Sequence, residues 1–204
     1  MEKLKREVLN IAKRMYLEKM VSGSSGNVSA YSKAEDIMII TPSDVDYAIM
    51  TEKDIVTMRL DGTIVSGEDV IPSSEWRMHA VIYKKRSDVS SIVHTHSPYA
   101  TGFAVLRNPI PFILVEMLPF LGGGVPVADF ALPGTEELGQ NSLEVLGDRN
   151  GCLLMNHGTL AIGSNLQEAY VRAVYIEDAA KIYFNALSIG EPYVLFDEID
   201  KNLL

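Results

Sequence analysis

Three of the four histidines in this 204-residue chain stand where they could hold one metal ion. His94 and His96 lie in the run Val93-His94-Thr95-His96. Side chains two apart on a strand leave the same face, so both imidazoles would point together. His157 follows in Asn156-His157-Gly158, and Glu75 stands at the start of a helical run before His94. Neutral imidazole suits Zn²⁺ and similar ions, and catalytic zinc sites use three protein ligands with a fourth position open. A His-x-His pair taken alone reads more readily as two surface or core histidines. The set of three with a glutamate favours the metal. His79 comes four residues after Glu75, on the same helical face. It reads as a further ligand or proton relay, or as a packed residue orienting its neighbours, and the second reading is preferred.

A second group of residues could receive an anion. Residues 23–27, 41–43 and 73–74 form small, hydroxyl-rich turns without lysine or arginine. Backbone N–H groups in such turns and at helix starts attract phosphate, and serine hydroxyls add donors. Each turn alone is ordinary loop chemistry; three of them, the last adjoining Glu75, predict an anion pocket beside the metal.

Positioning these groups requires an ordered set of elements. Leu4, Val8, Ile11 and Met15 recur at helical spacing. Residues 28–31 and 37–40 read as strands around a polar turn, and 55–60 with 63–65 as a hairpin about Asp61-Gly62. Ser73 or Ser74 is expected to cap a helix running to about Arg86. A strand at 91–95 and a helix at 98–106 follow. Short strands are expected at 113–115 and 125–127 around three glycines, and a helix after Thr135 to about Leu146. Strands at 152–155 and 159–162 precede a last helix capped by Asn165 and Glu168, with Leu166, Ala169, Ala173, Ile176, Ala180 and Leu187 as its apolar stripe. Residues from 190 on read as a short extension. Paired strands at the start, rather than strand–helix–strand crossovers, point to a mixed, largely antiparallel sheet with helices on its faces.

Composition narrows the classes. The formal charge of −9, from 27 acidic and 18 basic residues, argues against binding nucleic acid or anionic membranes. Cys152 is the single cysteine, so an internal disulfide is excluded, and in its apolar run it reads as a small buried hydrophobe. No run approaches the roughly 20 apolar residues of a membrane span, and the start does not read as a signal peptide. The expected location is the cytoplasm.

The ordered set Gly26-Asn27-Val28-Ser29, Thr41-Pro42-Ser43, Pro72-Ser73-Ser74-Glu75-Trp76, His94-Thr95-His96 and Asn156-His157-Gly158 resembles the class II aldolase/adducin family. The resemblance covers nearly the whole chain and lies nearest the fuculose-phosphate aldolase branch. It implies one domain over 1–204 with a three-layer α/β/α sandwich around a mostly antiparallel mixed sheet. It also implies a homotetramer with active sites at subunit boundaries. By matched positions His94, His96 and His157 would hold Zn²⁺, with Mn²⁺ or Co²⁺ as alternatives. Glu75 would be the acid/base and a fourth ligand when substrate is absent. Gly26, Asn27, Ser43, Ser73 and Ser74 would bind the phosphate of a small phosphorylated sugar. The implied reaction is reversible cleavage of a ketose 1-phosphate, of the L-fuculose or 5-deoxyribulose type, to dihydroxyacetone phosphate and an aldehyde. A methylthioribulose-phosphate dehydratase, a pentulose-phosphate 4-epimerase and a non-catalytic adducin-like scaffold are the alternatives. Two positions depart from the aldolase pattern. Asp44 stands where glycine is usual, and its carboxylate is expected to point away from a phosphate. Val115 falls where those aldolases carry a tyrosine acting on the aldehyde oxygen, and the adjacent Glu116 is the candidate replacement.

Overall fold

A computed structural model describes residues 1–67 and 69–195. The elements follow in the order α1 (Glu2–Leu17), β1 (Asn27–Ser32), β2 (Ile37–Ile40), β3 (Val56–Met58), β4 (Ile64–Ser66), α2 (Trp76–Lys85), β5 (Ser91–Thr95), α3 (Pro98–Leu106), α4 (Met117–Leu121), β6 (Val127–Ala128), α5 (Glu136–Leu146), β7 (Gly151–Leu154), β8 (Gly158–Gly163) and α6 (Leu166–Ile189). Among the described residues, all eight strands join one sheet in the order β4-β3-β2-β1-β5-β8-β7-β6. Pairing is antiparallel except between β6 and β7.

Period-two alternation gives this sheet two apolar faces. Val28, Ile39, Val93, Leu153 and Ala161 pack with α1, α3, α4 and α6. Met38, Ile40, Ile92, Leu154 and Leu160 pack with α2 and α5. The result is the expected sandwich of helices, mostly antiparallel sheet and helices. The opening helix buries Val8, Ile11 and Met15 as its spacing predicts. Cys152 is buried in β7, and burial pushes its thiol up to about 12.

Four local expectations change. Neither Ser73 nor Ser74 caps α2; Glu75 occupies that position with φ −93° and ψ 10°. The Ser74 N–H is taken by Ser43 Oγ instead, at 3.0 Å. Residues 113–115 are not a strand. Their carbonyls accept from Met117 and Leu118 in turns that lead into α4, while the short ladder forms further back, between Ile110 and Val125. The cap of α6 is half as expected. Asn165 Oδ1 accepts the Glu168 N–H, but the Glu168 carboxylate turns to Ser164 and Arg172. Leu187 leaves the apolar stripe and is 48% exposed. A helix of 24 residues is about 36 Å long and outruns the sheet, so its buried positions end at Ala180.

One buried carboxylate ties the helical layer together. Glu177, on α6, accepts from the Tyr99 and Ala100 N–H groups at 3.2 and 2.9 Å, at the start of α3. These N–H groups have no partner within their own helix. Glu177→Ala is expected to destabilise the protein by about 2 kcal/mol, read as a lower urea midpoint at unchanged slope.

Candidate metal centre

The ends of three elements meet at one corner of the α2–α5 face. His94 is on β5, where it pairs with Asn27 of β1 on one side and Leu160 of β8 on the other. His96 lies just past β5, and His157 in the turn between β7 and β8. The three rings form a nearly equilateral cluster, with centroids 4.7, 4.9 and 5.0 Å apart. Glu75 enters from the start of α2. One ligand atom from each of Glu75, His94, His96 and His157 lies within 4.8 Å of all the others.

Two features of the backbone make this convergence possible. Gly158 leaves room for the rings: a Cβ there would overlap the Thr95 carbonyl and stand 3.1 Å from His96 Cδ2 and 3.2 Å from His94 Cε1. Gly26 holds φ +74°, a left-handed conformation glycine adopts at little cost, and a Cβ there would lie 2.7 Å from the His94 carbonyl oxygen.

Hydrogen bonds then orient each group. His94 Nδ1 donates to the Thr159 carbonyl at 2.8 Å, which turns Nε2 toward the cluster. His94 Nε2 is 3.0 Å from Glu75 Oε2 and 3.0 Å from His96 Nε2. His157 Nε2 is 3.3 Å from Glu75 Oε1. Asn27 Nδ2 donates to Glu75 Oε2 at 2.8 Å. Around a tetrahedral zinc with bonds of about 2.1 Å, donor atoms stand roughly 3.4 Å apart. The donor set and its spacing therefore fit a divalent ion.

The electrostatics agree. Burial pushes the Glu75 carboxyl up, but His94, then His157 and His79, outweigh burial and hold it well below the usual carboxylate range. Burial also opposes the charged form of His94, yet the Glu75 charge and the bonds to Glu75 and Thr159 raise it. His94 Nε2 faces the Glu75 carboxylate, and a divalent ion would bind at that nitrogen in place of a proton. Burial, with the charge of His94, keeps His96 and His157 neutral down to about 3 and about 4, the form that binds metal.

The serine turns sit beside this cluster. Pro42 and Pro72 form an antiparallel bridge that joins the 41–43 and 72–74 segments. Ser43 Oγ donates to the Pro72 carbonyl at 3.0 Å and accepts the Ser74 N–H. Ser73 is buried, Ser74 exposed, and the Ser73 Oγ lies 3.4 Å from the Glu75 N–H. Asp44 is exposed, with φ +57°. Tyr47, 2% exposed, donates its hydroxyl to the Gly26 carbonyl at 2.8 Å and so pins the 22–27 loop. Glu116 is half-buried at the start of α4 and does not belong to the metal-ligating group. His79 is likewise outside that group; it is fully buried, with Nδ1 2.6 Å from Ser29 Oγ, so the packed reading holds.

Sequence reading assigned Asn27 to phosphate and missed its bond to Glu75. The two residues are 48 apart, and no spacing rule connects them. Thr159 acts through its backbone carbonyl and Tyr47 through bonds to the Ser25 and Gly26 carbonyls, which leaves no motif. The Gly in Asn156-His157-Gly158 was the available signal for the close approach of the rings.

Histidines held neutral by burial make the metal-free protein acid-sensitive. The unfolded chain takes up protons near the ordinary histidine value of 6.5, whereas burial holds His79 down to about 3. Between these values the unfolded state binds the extra proton, so stability falls as pH falls, by about 1.4 kcal/mol per pH unit from His79 alone. Urea midpoints of the metal-free protein are expected to drop from pH 6.5 to pH 4.5, and a flat profile would contradict this account.

The family model for the Class II Aldolase and Adducin N-terminal domain matches residues 6–184. The chain is 36% identical over 203 residues to the 5-deoxy-D-ribulose 1-phosphate aldolase of Bacillus thuringiensis serovar kurstaki, covering 100% of this chain and 94% of the relative. It is 36% identical over 197 residues to the L-fuculose phosphate aldolase of Escherichia coli O6:H1, covering 96% of this chain and 90% of the relative. A solved L-fuculose 1-phosphate aldolase superposes with a TM-score of 0.93 at 39% identity, over 100% of this chain and 94% of the other. With this fold and this histidine–glutamate cluster, the chain belongs to the class II aldolase and adducin family and is a metal-dependent lyase.

Proposed function

We propose that the chain is a zinc-dependent aldolase that reversibly cleaves a ketose 1-phosphate to dihydroxyacetone phosphate and an aldehyde. It would do so as a single domain over 1–204, in a cytoplasmic homotetramer; residue 68 and residues 196–204 lie outside the described residues. The observation that carries the reading is the convergence of three imidazoles and one carboxylate within 4.8 Å, beside two joined serine turns. Relatives that act on 5-deoxyribulose and fuculose phosphates favour a substrate of that type.

The bound metal supplies a Lewis acid that lowers the energy of the carbanion left by carbon–carbon cleavage. His94, His96, His157 and, before substrate enters, Glu75 would hold it. Glu75, once protonated from solvent, would give that proton to the carbanion carbon, while the proton of the aldehyde-side hydroxyl would go to Glu116. Asn27 holds one oxygen of that carboxylate, which limits its rotation and keeps it aimed. Backbone N–H groups at Gly26 and Asn27, with the hydroxyls of Ser43, Ser73 and Ser74, would take the phosphate. The N-terminus of α2 adds its dipole there. Asp44 contributes no more than its N–H. With Val115 in place of the tyrosine, Glu116 acts at the aldehyde-side oxygen, reaching the site across a subunit boundary.

The deciding experiment incubates the metal-loaded protein with L-fuculose 1-phosphate, 5-deoxyribulose 1-phosphate and methylthioribulose 1-phosphate, and assays dihydroxyacetone phosphate. Release from at least one is expected; water loss or epimerisation alone would rule the aldolase out. Glu75→Gln is expected to keep its metal by elemental analysis and to lose about 10²–10⁴ in kcat. Glu116→Gln should lower turnover without loss of metal, and wild-type rates would remove it from the mechanism.

A further inference from the structure

Behind the metal cluster, on the opposite face of the sheet, three hydroxyls form a buried chain. Thr95 ends β5 and stands opposite Thr159 of β8 in the ladder. One residue along from His94, its side chain leaves the other face of the strand. The Oγ1 atoms of Thr95 and Thr159 are 2.8 Å apart, and Thr95 Oγ1 donates to Ser97 Oγ at 3.2 Å. One direction of bonding serves both contacts: Thr159 O–H to Thr95, then Thr95 O–H to Ser97. All three residues are fully buried. Val93 and Ala161, the pair two residues back on the same face, belong to the apolar layer. A valine would fill the volume of either threonine without a hydroxyl to satisfy, so packing alone does not call for these side chains.

Ser97 holds the N-cap position of α3, where a serine ordinarily accepts an N–H of its helix, yet here its side chain accepts none. The Tyr99 and Ala100 N–H groups are taken by Glu177 instead. Ser97 Oγ is thereby left to Thr95. The bond between them spans a single residue, and that residue is His96. It lies beyond the last pair of the β5–β8 ladder. His94 is turned by its Nδ1 bond to the Thr159 carbonyl. Among the described residues, the His96 ring has one hydrogen-bonding neighbour, His94 Nε2, which is itself a ligand atom. The place of His96 therefore depends on its backbone, which Thr95 and Ser97 flank.

We propose that Thr95, Ser97 and Thr159 form a hydroxyl clip that positions His96 for the metal, acting through the backbone on either side of that ligand. They are positioning residues and face away from the cluster. The clip also holds Thr159, whose carbonyl orients His94 and which follows His157 by two residues. One buried chain thus ties together the three segments that carry the histidines. The inference rests on the reading of His94, His96 and His157 as the metal ligands.

Zinc affinity, measured by competition with a chromophoric chelator and without substrate, tests the clip. Thr95→Val and Ser97→Ala should each weaken zinc binding by about 10- to 100-fold. Thr95→Ser, which keeps the hydroxyl, should bind nearly as wild type does. Thr57 is a buried threonine of β3 whose hydroxyl has no partner, so Thr57→Val measures the effect of such a change away from the clip and should leave the affinity unchanged. Wild-type affinity in either Thr95→Val or Ser97→Ala overturns the proposal, so Ser97→Ala decides it if Thr95→Val does not fold. Equal weakening in Thr95→Ser or in Thr57→Val overturns it as well. The two readings fail separately. A wild-type protein that binds zinc no better than His94→Ala overturns the ligand reading and the clip with it. Loss of zinc in His94→Ala, with Thr95→Val and Ser97→Ala unchanged, overturns the clip alone.

Discussion

A carboxylate buried among imidazoles is the interaction on which the arrangement of this protein depends. Glu75 is 6% exposed, and taking an unpaired carboxylate out of water would cost several kcal/mol. Its partners come from three places far apart in the chain: Asn27 of β1, His94 of β5 and His157 of the β7–β8 turn. They meet because β1, β5, β8 and β7 are consecutive in the sheet. Strand order in this fold is thus also ligand order.

Under the proposed function, the same corner would reconcile an acidic protein with a phosphorylated substrate. With a net charge of −9, the chain has no surplus of cations to offer an anion. Backbone N–H groups, hydroxyls and the start of α2 act at short range, where the overall charge is screened beyond about 8–10 Å. The bridge between Pro42 and Pro72 sets two of these turns side by side before any ligand arrives. Preorganised donors of this kind lose little freedom on binding, which is why they can replace a lysine.

The sheet divides its faces by task. One face carries α1, α3, α4 and α6 on a mainly apolar layer, where Ile39, Val93 and Ala161 lie with α6 residues such as Ala173 and Ile176, and the buried Glu177 and the Thr95–Thr159 pair are its polar exceptions. The other face is apolar toward α5 but turns polar along the stripe of α2 that meets β1. Helix α2 therefore packs by both Met78 and Ile82 and by the His79–Ser29–Tyr83 chain. Such a mixed contact is less forgiving than oil-like packing, because its hydrogen bonds fix the helix in rotation and register as well as in distance.

Much of the fold was legible in the residues. Repeating apolar positions marked α1, the Asp61-Gly62 pair marked the β3–β4 hairpin, and Thr135 marked the start of α5 through its side-chain bond to the Leu138 N–H. His94-Thr95-His96 declared two candidate ligands because a strand's period is two. What stayed hidden was set by contacts between distant segments. Residues 113–115 carry a strand's composition yet turn into α4, where the Leu114 and Val115 carbonyls accept from Met117 and Leu118. The serines before α2 look like caps yet serve the 41–43 turn, since the Pro42–Pro72 bridge claims them. Glu75 shows no sign in sequence that Asn27 will orient it, nor His79 that Ser29 will. By itself the sequence determined the residue chemistry and the local periods, because these depend on side-chain type and near neighbours. Only the tertiary structure decided which groups share a proton or could share a metal, because that depends on distances of about 3 Å between residues dozens of positions apart.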